Sequence, residues 1–389
     1  MIIIEKPYVS EFLIDSIVQN DWAVLENEAL EIADIEEGAF ETIDTDTAKE
    51  YYSQVEYPII YSNSENSINW VLENLPDSNL SRYIKLFKDK LKFRKMLKDV
   101  FPEFFFKEVE YDNLSKLPLE ELKYPFVLKP AIGFLSLGVH TVHNDEDWKH
   151  TLVELEHEMK LAQKFYPEAV VNVSKFIIEE YIQGEEYAVD AYYDKNGNPV
   201  ILNIFHHPFL NSKDVSDRIY VMSSEIMIKY MAKFAILLKV IGDKNNIRNF
   251  PLHIELRVTD DERIIPIEVN PMRFAGWCTT DVSKYAWGIN VYECFMKQTS
   301  PDWNEILSKA SNEMFYFSMA EVSSNIDRDK ISGFEYDNWL ANYSNVLEVR
   351  RINPKHHPLF AVIFGSTTNK DEVNRILQLK TKDYTIFNV

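Results

Sequence analysis

Apolar residues follow alternating strand-like and helix-like spacings over the first 80 residues of the chain. The run Ile2-Ile3-Ile4 predicts a short buried strand, and the segment EFLIDSIVQN after it has its apolar residues at helical spacing. The strand-like runs AVLEN and YPIIYS and the helix-like run INWVLENL complete this region. Because strands and helices alternate, residues 1–80 are predicted to form an α/β module with a parallel sheet.

The next region of the chain contains both helix and strand patterns. Residues 81–100 have the pattern of one helix, FFFKEVE and YPFVLKP have the pattern of strands, and residues 145–164 have the pattern of a second helix. From residue 176 onward three strands are predicted, namely FIIEEYI, EYAVDAYY and PVILNIFH, the last two joined by an Asn-Gly turn.

A long apolar-striped helix is predicted over residues 225–241, and Gly242 is expected to end it. Residues 313–389 contain further strand patterns and the helical run DEVNRIL, which predict a small α/β appendage. The predicted fold class is therefore α/β. The patterns predict an N-terminal α/β module, a central region of strands and helices, and a C-terminal appendage.

Two glutamates are predicted to face each other on a hairpin formed by LHIELRVT and IIPIEVN. A turn centred on Asp261-Glu262 places Thr259 opposite Ile264 and Glu255 opposite Glu268. Period-two alternation adds three further polar residues to the same face: His253, Arg257 and Asn270. Like charges placed directly opposite destabilise a sheet.

A divalent cation between the two carboxylates would remove this repulsion. Carboxylate and amide oxygens are hard ligands that suit Mg²⁺ or Mn²⁺. The alternative is that Arg257 and Arg273 neutralise the pair in a surface network. A lysine that leads into a loop gives a weaker signal. Lys129 ends a predicted strand before Gly133, Ser136 and Gly138, an arrangement that can surround phosphates but is equally compatible with an ordinary turn.

The charge of the chain is acidic and uneven. The formal net charge is −21, and residues 1–80 hold 18 acidic and 2 basic residues, whereas residues 81–98 hold 8 basic and 1 acidic. Because nucleic-acid-binding surfaces are basic, DNA and RNA are excluded as main partners. The 2 cysteines cannot form a disulfide framework, and no apolar run approaches the length of a membrane helix. Without a recognisable secretion signal, the chain is expected to act in the cytoplasm, away from membranes.

Four segments, taken in order, resemble the ATP-grasp superfamily: FKDKLKFRKML, YPFVLKPAIGFLSLGV, FIIEEYIQGEEYAVDAYY and PLHIELRVTDDERIIPIEVNPMRFAG. They cover roughly residues 85–280, and the chain looks most like the stand-alone carboxylate–amine ligases. The resemblance implies a pre-ATP-grasp domain over residues 1–80 and a C-terminal subdomain over residues 313–389. Between them it implies an ATP-grasp domain over residues 81–312, which has two lobes and an α+β core, with the smaller lobe at about 110–182.

The resemblance also implies a role for individual residues. Contacts to the phosphates of ATP are expected from Lys90 and Lys129, and loop 131–138 is expected to be the flap above them, with Ser136 as a donor. The remaining implied roles are adenine binding by Glu179, Glu180 and Ile182, ribose binding by Glu186, metal ligation by Glu255, Glu268 and Asn270, and contact with the γ-phosphate by Arg273.

One departure from the family pattern concerns Arg273. The family often has Asn-Pro-Arg, whereas Met272 stands between Pro271 and Arg273 here. An inserted residue turns a strand side chain to the other face, which weakens the assignment of Arg273. Arg218 and Arg257 are candidates for binding a substrate carboxylate, with surface salt bridges as the alternative.

The implied activity is an ATP-dependent ligation. A small carboxylate is activated as an acyl phosphate and joined to an amine, with ADP and phosphate released. The expected cofactors are ATP and Mg²⁺ or Mn²⁺, the partners are small-molecule carboxylates and amines, and dimers are common in the family. The alternatives are other ATP-grasp chemistry, by a carboxylase or a carboxylate kinase, and a non-catalytic ATP-binding regulator.

Overall fold

The computed structural model of the protein describes residues 1–32, 38–132, 138–165, 172–210, 216–323 and 326–388. These residues form an N-terminal parallel sheet, a four-stranded antiparallel sheet, an eight-stranded sheet and a two-stranded ribbon. The mixed α/β fold class predicted from the sequence is confirmed. Within the described ranges, every helix is too short or too polar to cross a lipid bilayer.

The N-terminal module has a four-stranded parallel sheet in the order β3-β2-β1-β4. Its apolar strand Ile2–Ile3 is fully buried, as its sequence predicted. The elements are β1 (Ile2–Ile3), α1 (Glu11–Asn20), β2 (Val24–Leu25), α2 (Glu28–Ile32), β3 (Thr42–Ile43), α3 (Thr45–Tyr52), β4 (Tyr61–Ser62) and α4 (Ile68–Asn74).

The basic segment after this module forms two helices, α5 (Asn79–Lys88) and α6 (Lys90–Met96), where one helix was predicted. Asp89 separates them with an extended backbone, and its side chain accepts a hydrogen bond from the backbone N–H of Lys92. Aspartate is a favoured N-cap because its carboxylate satisfies a free N–H of the first turn. The prediction of a single helix is therefore wrong, and the break makes Lys90 the first residue of α6.

The smaller lobe is an antiparallel sheet in the order β5-β8-β6-β7, covered by one long helix. Trp148, Leu155 and Met159 of the predicted helical stripe are buried against this sheet. The elements are β5 (Phe106–Glu110), β6 (Phe126–Ile132), β7 (His140–Val142), α7 (Asp145–Phe165) and β8 (Asn172–Glu180).

The larger lobe begins with strands that line the candidate site. Its elements are β9 (Glu185–Tyr193), β10 (Pro199–His207), β11 (Ile219–Met222), α8 (Ser224–Asn245), β12 (Phe250–Val258), β13 (Ile264–Pro271), α9 (Val282–Trp287), α10 (Val291–Met296) and α11 (Trp303–Lys309). Helix α8 ends at Asn246, which has a left-handed backbone, and Gly242 lies within the helix. The predicted end at Gly242 is wrong. A side chain at Gly242 would collide with the ring of Tyr193 in β9. The glycine therefore allows α8 to pack closely against β9.

The C-terminal segment contributes to the same sheet. Its elements are β14 (Met314–Glu321), β15 (Ile331–Phe334), α12 (Tyr336–Leu340), β16 (Asn345–Arg351), β17 (Leu359–Thr367), α13 (Lys370–Gln378) and β18 (Thr385–Phe387). The eight-stranded sheet runs β13-β12-β9-β10-β11-β14-β17-β16, so strands from both sides of residue 312 lie in one layer. The boundaries at residues 80 and 312 stay predictions.

Candidate active site

The hairpin of β12 and β13 places Glu255 directly opposite Glu268, as predicted. His253 lies opposite Asn270 in the same ladder. Residues that face each other across an antiparallel pair have their side chains on the same side of the sheet. Two carboxylates and one amide therefore share a small area at one edge of the eight-stranded sheet.

The register of this hairpin changes between its turn and the carboxylate pair. Near the turn Val258 pairs with Ile264, so the predicted pairing of Thr259 with Ile264 is wrong. A bulge at Ile267 then shifts the register by one residue before the glutamates are reached. A β-bulge inserts one extra residue into one strand of a pair. The two offsets cancel, which brings the glutamates into the predicted register.

Polar side chains form rows across neighbouring strands on this face. One row consists of Asn203, Asp190, His253 and Asn270, and a second, four residues away on β9, consists of His207, Glu186 and Arg257. The row between them contains Glu255 and Glu268, with the small Ala188 beside Glu255 on β9. The glutamates thus lie between two polar rows, next to a small residue.

The carboxylate of Glu255 has an unfavourable electrostatic environment. Burial raises its pKa well above the ordinary value of 4.5, and the negative charges of Glu268, Glu186 and Asp217 raise it further, against a smaller opposite effect of Arg273. The amide nitrogen of Asn270 lies 3.4 Å from Oε1 of Glu255. Neither arginine of the alternative surface network forms an ion pair with the two glutamates, because each binds another carboxylate. The ionised form of Glu255 is therefore disfavoured unless a further cation lies beside it.

A divalent cation fits this donor set. Two carboxylates and an amide supply hard oxygen ligands, and an added positive charge would remove the cost of burying Glu255 beside other acids. Among the described residues there is no cluster of three or more His, Cys, Asp or Glu side chains suited to a metal. Mg²⁺ commonly takes only one or two carboxylates and completes its shell with water and nucleotide phosphates. The residues present thus fit a magnesium ion that binds together with a phosphate ligand.

The two lysines with expected phosphate contacts are both buried. Nζ of Lys90 lies 3.1 Å from Glu268, and Nζ of Lys129 lies 2.7 Å from Glu179. Burial lowers the pKa of Lys129, and the charge of Glu179 opposes that shift. Lys90 lies at the start of α6 and Lys129 lies in β6, so the two ammonium groups come from different elements of the chain.

Glu179 is the centre of a buried ion-pair cluster. Its carboxylate binds Lys129 and also Arg94, whose Nε lies 2.6 Å away. Burial alone would raise the pKa of Glu179, but Arg94 and Lys129 outweigh it and lower the pKa to about 2. Arg94 lies one helical turn after Lys90 on α6. The cluster therefore connects the helix that begins with Lys90 to the strand that contains Lys129.

The expected hinge and ribose positions are also held by contacts within the protein. The side chain of Glu180 accepts a hydrogen bond from the backbone of Phe105, and the carbonyl of Ile182 accepts one from Arg257 at 2.7 Å. Glu186 binds Arg257 at 3.0 Å and the Nδ1 atom of His207 at 3.1 Å. Burial opposes ionisation of Glu186, but these two partners lower its pKa overall.

Arg273 returns to the site through a turn in the backbone. Met272, the inserted residue, is fully buried and has a left-handed backbone with φ of 66°. The guanidinium of Arg273 binds Glu65 of the N-terminal module at 3.0 Å, and its charge lowers the pKa of Glu255. Despite the insertion, Arg273 still acts electrostatically on Glu255.

Comparison with known proteins agrees with this geometry. Residues 122–281 match the family model of the ATP-grasp domain. The chain contains an ATP-grasp domain. A D-alanine–D-alanine ligase of Petrotoga mobilis is 31% identical over 90 residues, which are 23% of this chain and 25% of that protein. The match thus spans about a quarter of this relative.

Solved structures resemble the chain over its whole length. The L-amino acid ligase of Bacillus licheniformis has a TM-score of 0.69 at 17% identity, with 100% of this chain and 98% of that chain covered. Biotin carboxylase of Campylobacter jejuni has a TM-score of 0.62 at 15% identity, with coverage of 100% and 91%. At these identities the likeness establishes a common fold.

Two predicted positions lie apart from the ATP-grasp site or outside the described ranges. The guanidinium of Arg218 donates a hydrogen bond to the carbonyl of Leu377 at 3.0 Å, next to the C-terminal helix α13. Its neighbour Asp217 lies close enough to raise the pKa of Glu255. The structure thus brings Asp217, and not Arg218, to the carboxylates. Ser136 falls in residues 133–137, which the structure does not describe.

Several site residues were missed by sequence reasoning. Asp190 could have been found, because it lies four residues after Glu186 on β9 and so shares its face; its carboxylate binds Nδ1 of His253 at 2.8 Å. Arg94 could have been found from its helical spacing to Lys90. Glu65 carried no local signal, since its partner Arg273 lies 208 residues away in sequence.

Proposed function

We propose that this protein is an ATP-dependent, ADP-forming ligase that activates a small carboxylate as an acyl phosphate and joins it to an amine. The observation that carries the proposal is the directly opposed pair of Glu255 and Glu268 beside Lys90 in an ATP-grasp domain. Two proteins that resemble the chain are named as a D-alanine–D-alanine ligase and an L-amino acid ligase, so amino acids are the first carboxylates to test.

The chain's own residues are suited to hold ATP. Lys90 and Lys129 would neutralise its phosphates from two lobes, with their positions fixed by Glu268 and Glu179. Glu186 would bind the ribose hydroxyls, with its carboxylate oriented by Arg257. Flanking backbone from Glu179 to Ile182 would contact adenine.

Glu255, Glu268 and Asn270 would hold Mg²⁺ or Mn²⁺. When bound, such an ion supplies positive charge that orients the phosphates and offsets the charge of the transferring phosphoryl group. Arg273, held by Glu65 near Glu255, would add to this charge at the acceptor side. The protein would act chiefly by positioning and electrostatic stabilisation, which is the usual division of labour in phosphoryl transfer.

The proposed reaction has two balanced steps. A carboxylate oxygen of the substrate attacks the γ-phosphorus of ATP, the bond to the bridging oxygen breaks, and ADP leaves. The amine nitrogen then attacks the acyl carbon, phosphate leaves, and the nitrogen loses a proton as the amide forms. No side-chain nucleophile is needed, so the site requires no serine or cysteine triad.

A screen for ADP release tests the proposal. The protein is incubated with Mg²⁺ and ATP plus amino acids or other small carboxylates, alone and in pairs with amines, and products are identified by mass. A ligase requires both substrates and gives an amide. ADP with a carboxylate alone identifies a carboxylate kinase, and a product gaining carbon dioxide identifies a carboxylase. Nucleotide binding without ADP release under every condition would contradict catalysis and favour a regulator.

A matched pair of variants ties any activity to this site. Glu268→Gln removes one proposed ligand and is expected to abolish ADP formation with the fold retained. Glu262→Gln changes an exposed acid in the turn of the same hairpin, which pairs only with Lys233, and is expected to be fully active. Wild-type turnover in Glu268→Gln would contradict the assignment of the metal ligand.

Oligomeric state and location remain separate proposals. One structural neighbour is described as a dimer of a biotin carboxylase domain, which supports testing this chain for a homodimer by light scattering. Action in the cytoplasm on small molecules stays a prediction, to be checked by fractionation of the native cell.

A further inference from the structure

The loop after the carboxylate strand, residues 272–281, has an unusual backbone. Met272, Trp277 and Cys278 all have positive φ angles, of 66°, 57° and 53°. Bulky side chains rarely adopt this left-handed conformation, and it persists only where the surroundings impose it. The loop contains Arg273, so whatever imposes its shape also places a residue of the proposed site.

Arg350 of β16 is the main contact of the second half of this loop. Its guanidinium donates hydrogen bonds to the carbonyl of Cys278 at 3.0 Å and to that of Trp277 at 3.4 Å, and it binds the carboxylate of Asp281 at 2.7 Å. The side chain is 2% exposed. The planar guanidinium of Arg350 therefore fixes the carbonyls of Trp277 and Cys278 and the carboxylate of Asp281 at the same time. A lysine has a single ammonium group and could not hold all three.

Arg350 is itself held in place from the C-terminal segment. Its Nε binds Glu348 at 2.6 Å, and Glu348 accepts a further hydrogen bond from Tyr285 at 2.8 Å. The guanidinium lies 4.4 Å from the ring centre of Phe364 on β17. These contacts orient the guanidinium of Arg350 towards the loop.

The first half of the loop is held by the N-terminal module and by strand β9. The backbone of Ser62 donates to the carbonyl of Met272 at 3.0 Å, and Glu65 binds Arg273. The backbone of Ala275 donates to Asp190 at 2.8 Å. The loop thus lies where the N-terminal module, the site strands and the C-terminal segment meet.

Arg273 and the carbonyls held by Arg350 are close along the loop. The guanidinium of Arg273 donates to the carbonyl of Phe274 at 2.8 Å and lies beside Gly276, where an added Cβ would be 3.7 Å from its Nη1. Gly276 immediately precedes Trp277. A change in the conformation of Trp277 and Cys278 would therefore move Gly276, against which the guanidinium of Arg273 packs.

We propose that Arg350 is a positioning residue of the ligase site, which keeps Arg273 beside the carboxylate pair by fixing the carbonyls of Trp277 and Cys278. This inference rests on the proposed function and assigns a role in it to the C-terminal segment. Arg350 touches neither substrate nor metal and acts only through the loop.

The test compares Arg350→Met, alone and combined with Asp281→Asn or Arg273→Met, with Arg350→Lys and a control variant. Arg350→Met removes the tether, and the double variant Arg350→Met with Asp281→Asn also removes the charge that would be left buried, so that a folded protein is available. Arg351→Met is the matched control, because this neighbour is exposed and its guanidinium lies 4.4 Å from the ring centre of Tyr336, away from the loop carbonyls. Folding is checked by thermal unfolding, and hydrogen exchange is measured over residues 272–281.

The expected results separate positioning from general stability. In the folded variants without Arg350, exchange over residues 272–281 speeds up at least tenfold and kcat falls at least tenfold, whereas KM for ATP changes less than twofold. When Arg273 is already Met, loss of Arg350 lowers kcat by less than twofold, because both changes remove the same contribution. Arg350→Lys retains the ion pair to Asp281 but is expected to have the low kcat of Arg350→Met.

Other outcomes would overturn the inference. Unchanged exchange in the loop would disprove the tether, and additive losses in the Arg273 and Arg350 variants would show that Arg350 acts by general destabilisation. The same loss in Arg351→Met would lead to that conclusion too. A wild-type protein without turnover would instead disprove the proposed function and, with it, the role assigned to Arg350, while the exchange data would still report the tether.

Discussion

Glu65 of the N-terminal module binds Arg273 of the ATP-grasp domain through Oε1 and Nη2, which are 3.0 Å apart. The other carboxylate oxygen of Glu65 binds Lys88 at 2.5 Å. Burial opposes ionisation of Glu65, yet Lys88 and Arg273 lower its pKa to about 2, so it is charged at neutral pH. The N-terminal module therefore contributes a charged group to the site through one side chain.

Glu65→Gln is expected to release Arg273 from its position. The neutral amide cannot form the ion pair, so kcat should fall about tenfold, equivalent to about 1.4 kcal/mol of transition-state stabilisation. KM for ATP should stay within about twofold because Glu65 is assigned no nucleotide contact. Steady-state kinetics measure both, with Glu73→Gln, an exposed acid of the same module, as the control. An unchanged kcat would show that the Glu65 contact is not needed for turnover.

Glu255→Gln should stabilise the metal-free protein and abolish its response to magnesium. The change replaces a carboxyl group whose ionisation is opposed by burial and by the charge of Glu268, and relief of an unfavourable cross-strand pair is worth up to about 1 kcal/mol. Thermal unfolding should therefore show a higher Tm without ligands and no further rise in Tm when Mg²⁺ and ATP are added.

The matched control for this prediction is again Glu262→Gln, which should keep the wild-type rise with Mg²⁺ and ATP. A Glu255→Gln protein that is less stable than the wild type without ligands would show that the two glutamates do not repel each other. An undiminished rise in Tm would remove Glu255 from the metal site.

The carboxylate pair could be predicted from the sequence partly because two errors cancel. Turn arithmetic and period-two alternation place Glu255 opposite Glu268, but they assume an unbroken ladder that would also pair Thr259 with Ile264. The actual turn is one residue out of that register, and the bulge at Ile267 restores it. A bulge depends on local twist and packing, which a single sequence does not encode in readable form.

Helix ends were harder to predict than helix positions. The basic segment has helical spacing throughout, yet Asp89 interrupts it because its side chain caps the second helix. Gly242 appeared to be a C-cap but lies within α8, where it makes room for Tyr193 of β9. In both cases the difference comes from a side-chain contact that the spacing of apolar residues does not reveal.

The residues that hold the site in place were the least predictable part. The resemblance to the family names residues expected to touch ATP and metal, and the structure places Glu255 opposite Glu268, Lys90 beside Glu268 and Lys129 beside Glu179. Their supports, such as Glu65 for Arg273 and Arg350 for the loop, are separated from them by long stretches of sequence. Such pairs arise only when three parts of the chain fold against one another.

Arg257→Met is expected to weaken ATP binding, although the sequence indicated a substrate-binding role for Arg257. Its guanidinium binds Glu186 and the carbonyl of Ile182, which are the expected ribose and adenine positions. KM for ATP should rise about tenfold, or about 1.4 kcal/mol, while KM for the carboxylate stays within about twofold. Arg263→Met, an exposed arginine of the same hairpin paired with Asp261, is the control. An unchanged KM for ATP with a raised KM for the carboxylate would instead support a substrate-binding role for Arg257.

Glu179→Gln is expected to change both the stability of the protein and its dependence on acid. The pKa of Glu179 in the folded protein, about 2, lies below its ordinary value of 4.5. Its stabilising effect is therefore complete above about pH 4.5 and is lost as the pH falls toward 2, a change of roughly 3 kcal/mol.

The variant leaves Arg94 and Lys129 buried without their partner, which should lower the free energy of unfolding at pH 7 by about 3–5 kcal/mol. Between pH 4.5 and about 2, its free energy of unfolding should decline less steeply than that of the wild type in urea titrations. Parallel curves would show that Glu179 is not the group titrating there, whereas Glu180→Gln at the next position should keep the wild-type slope.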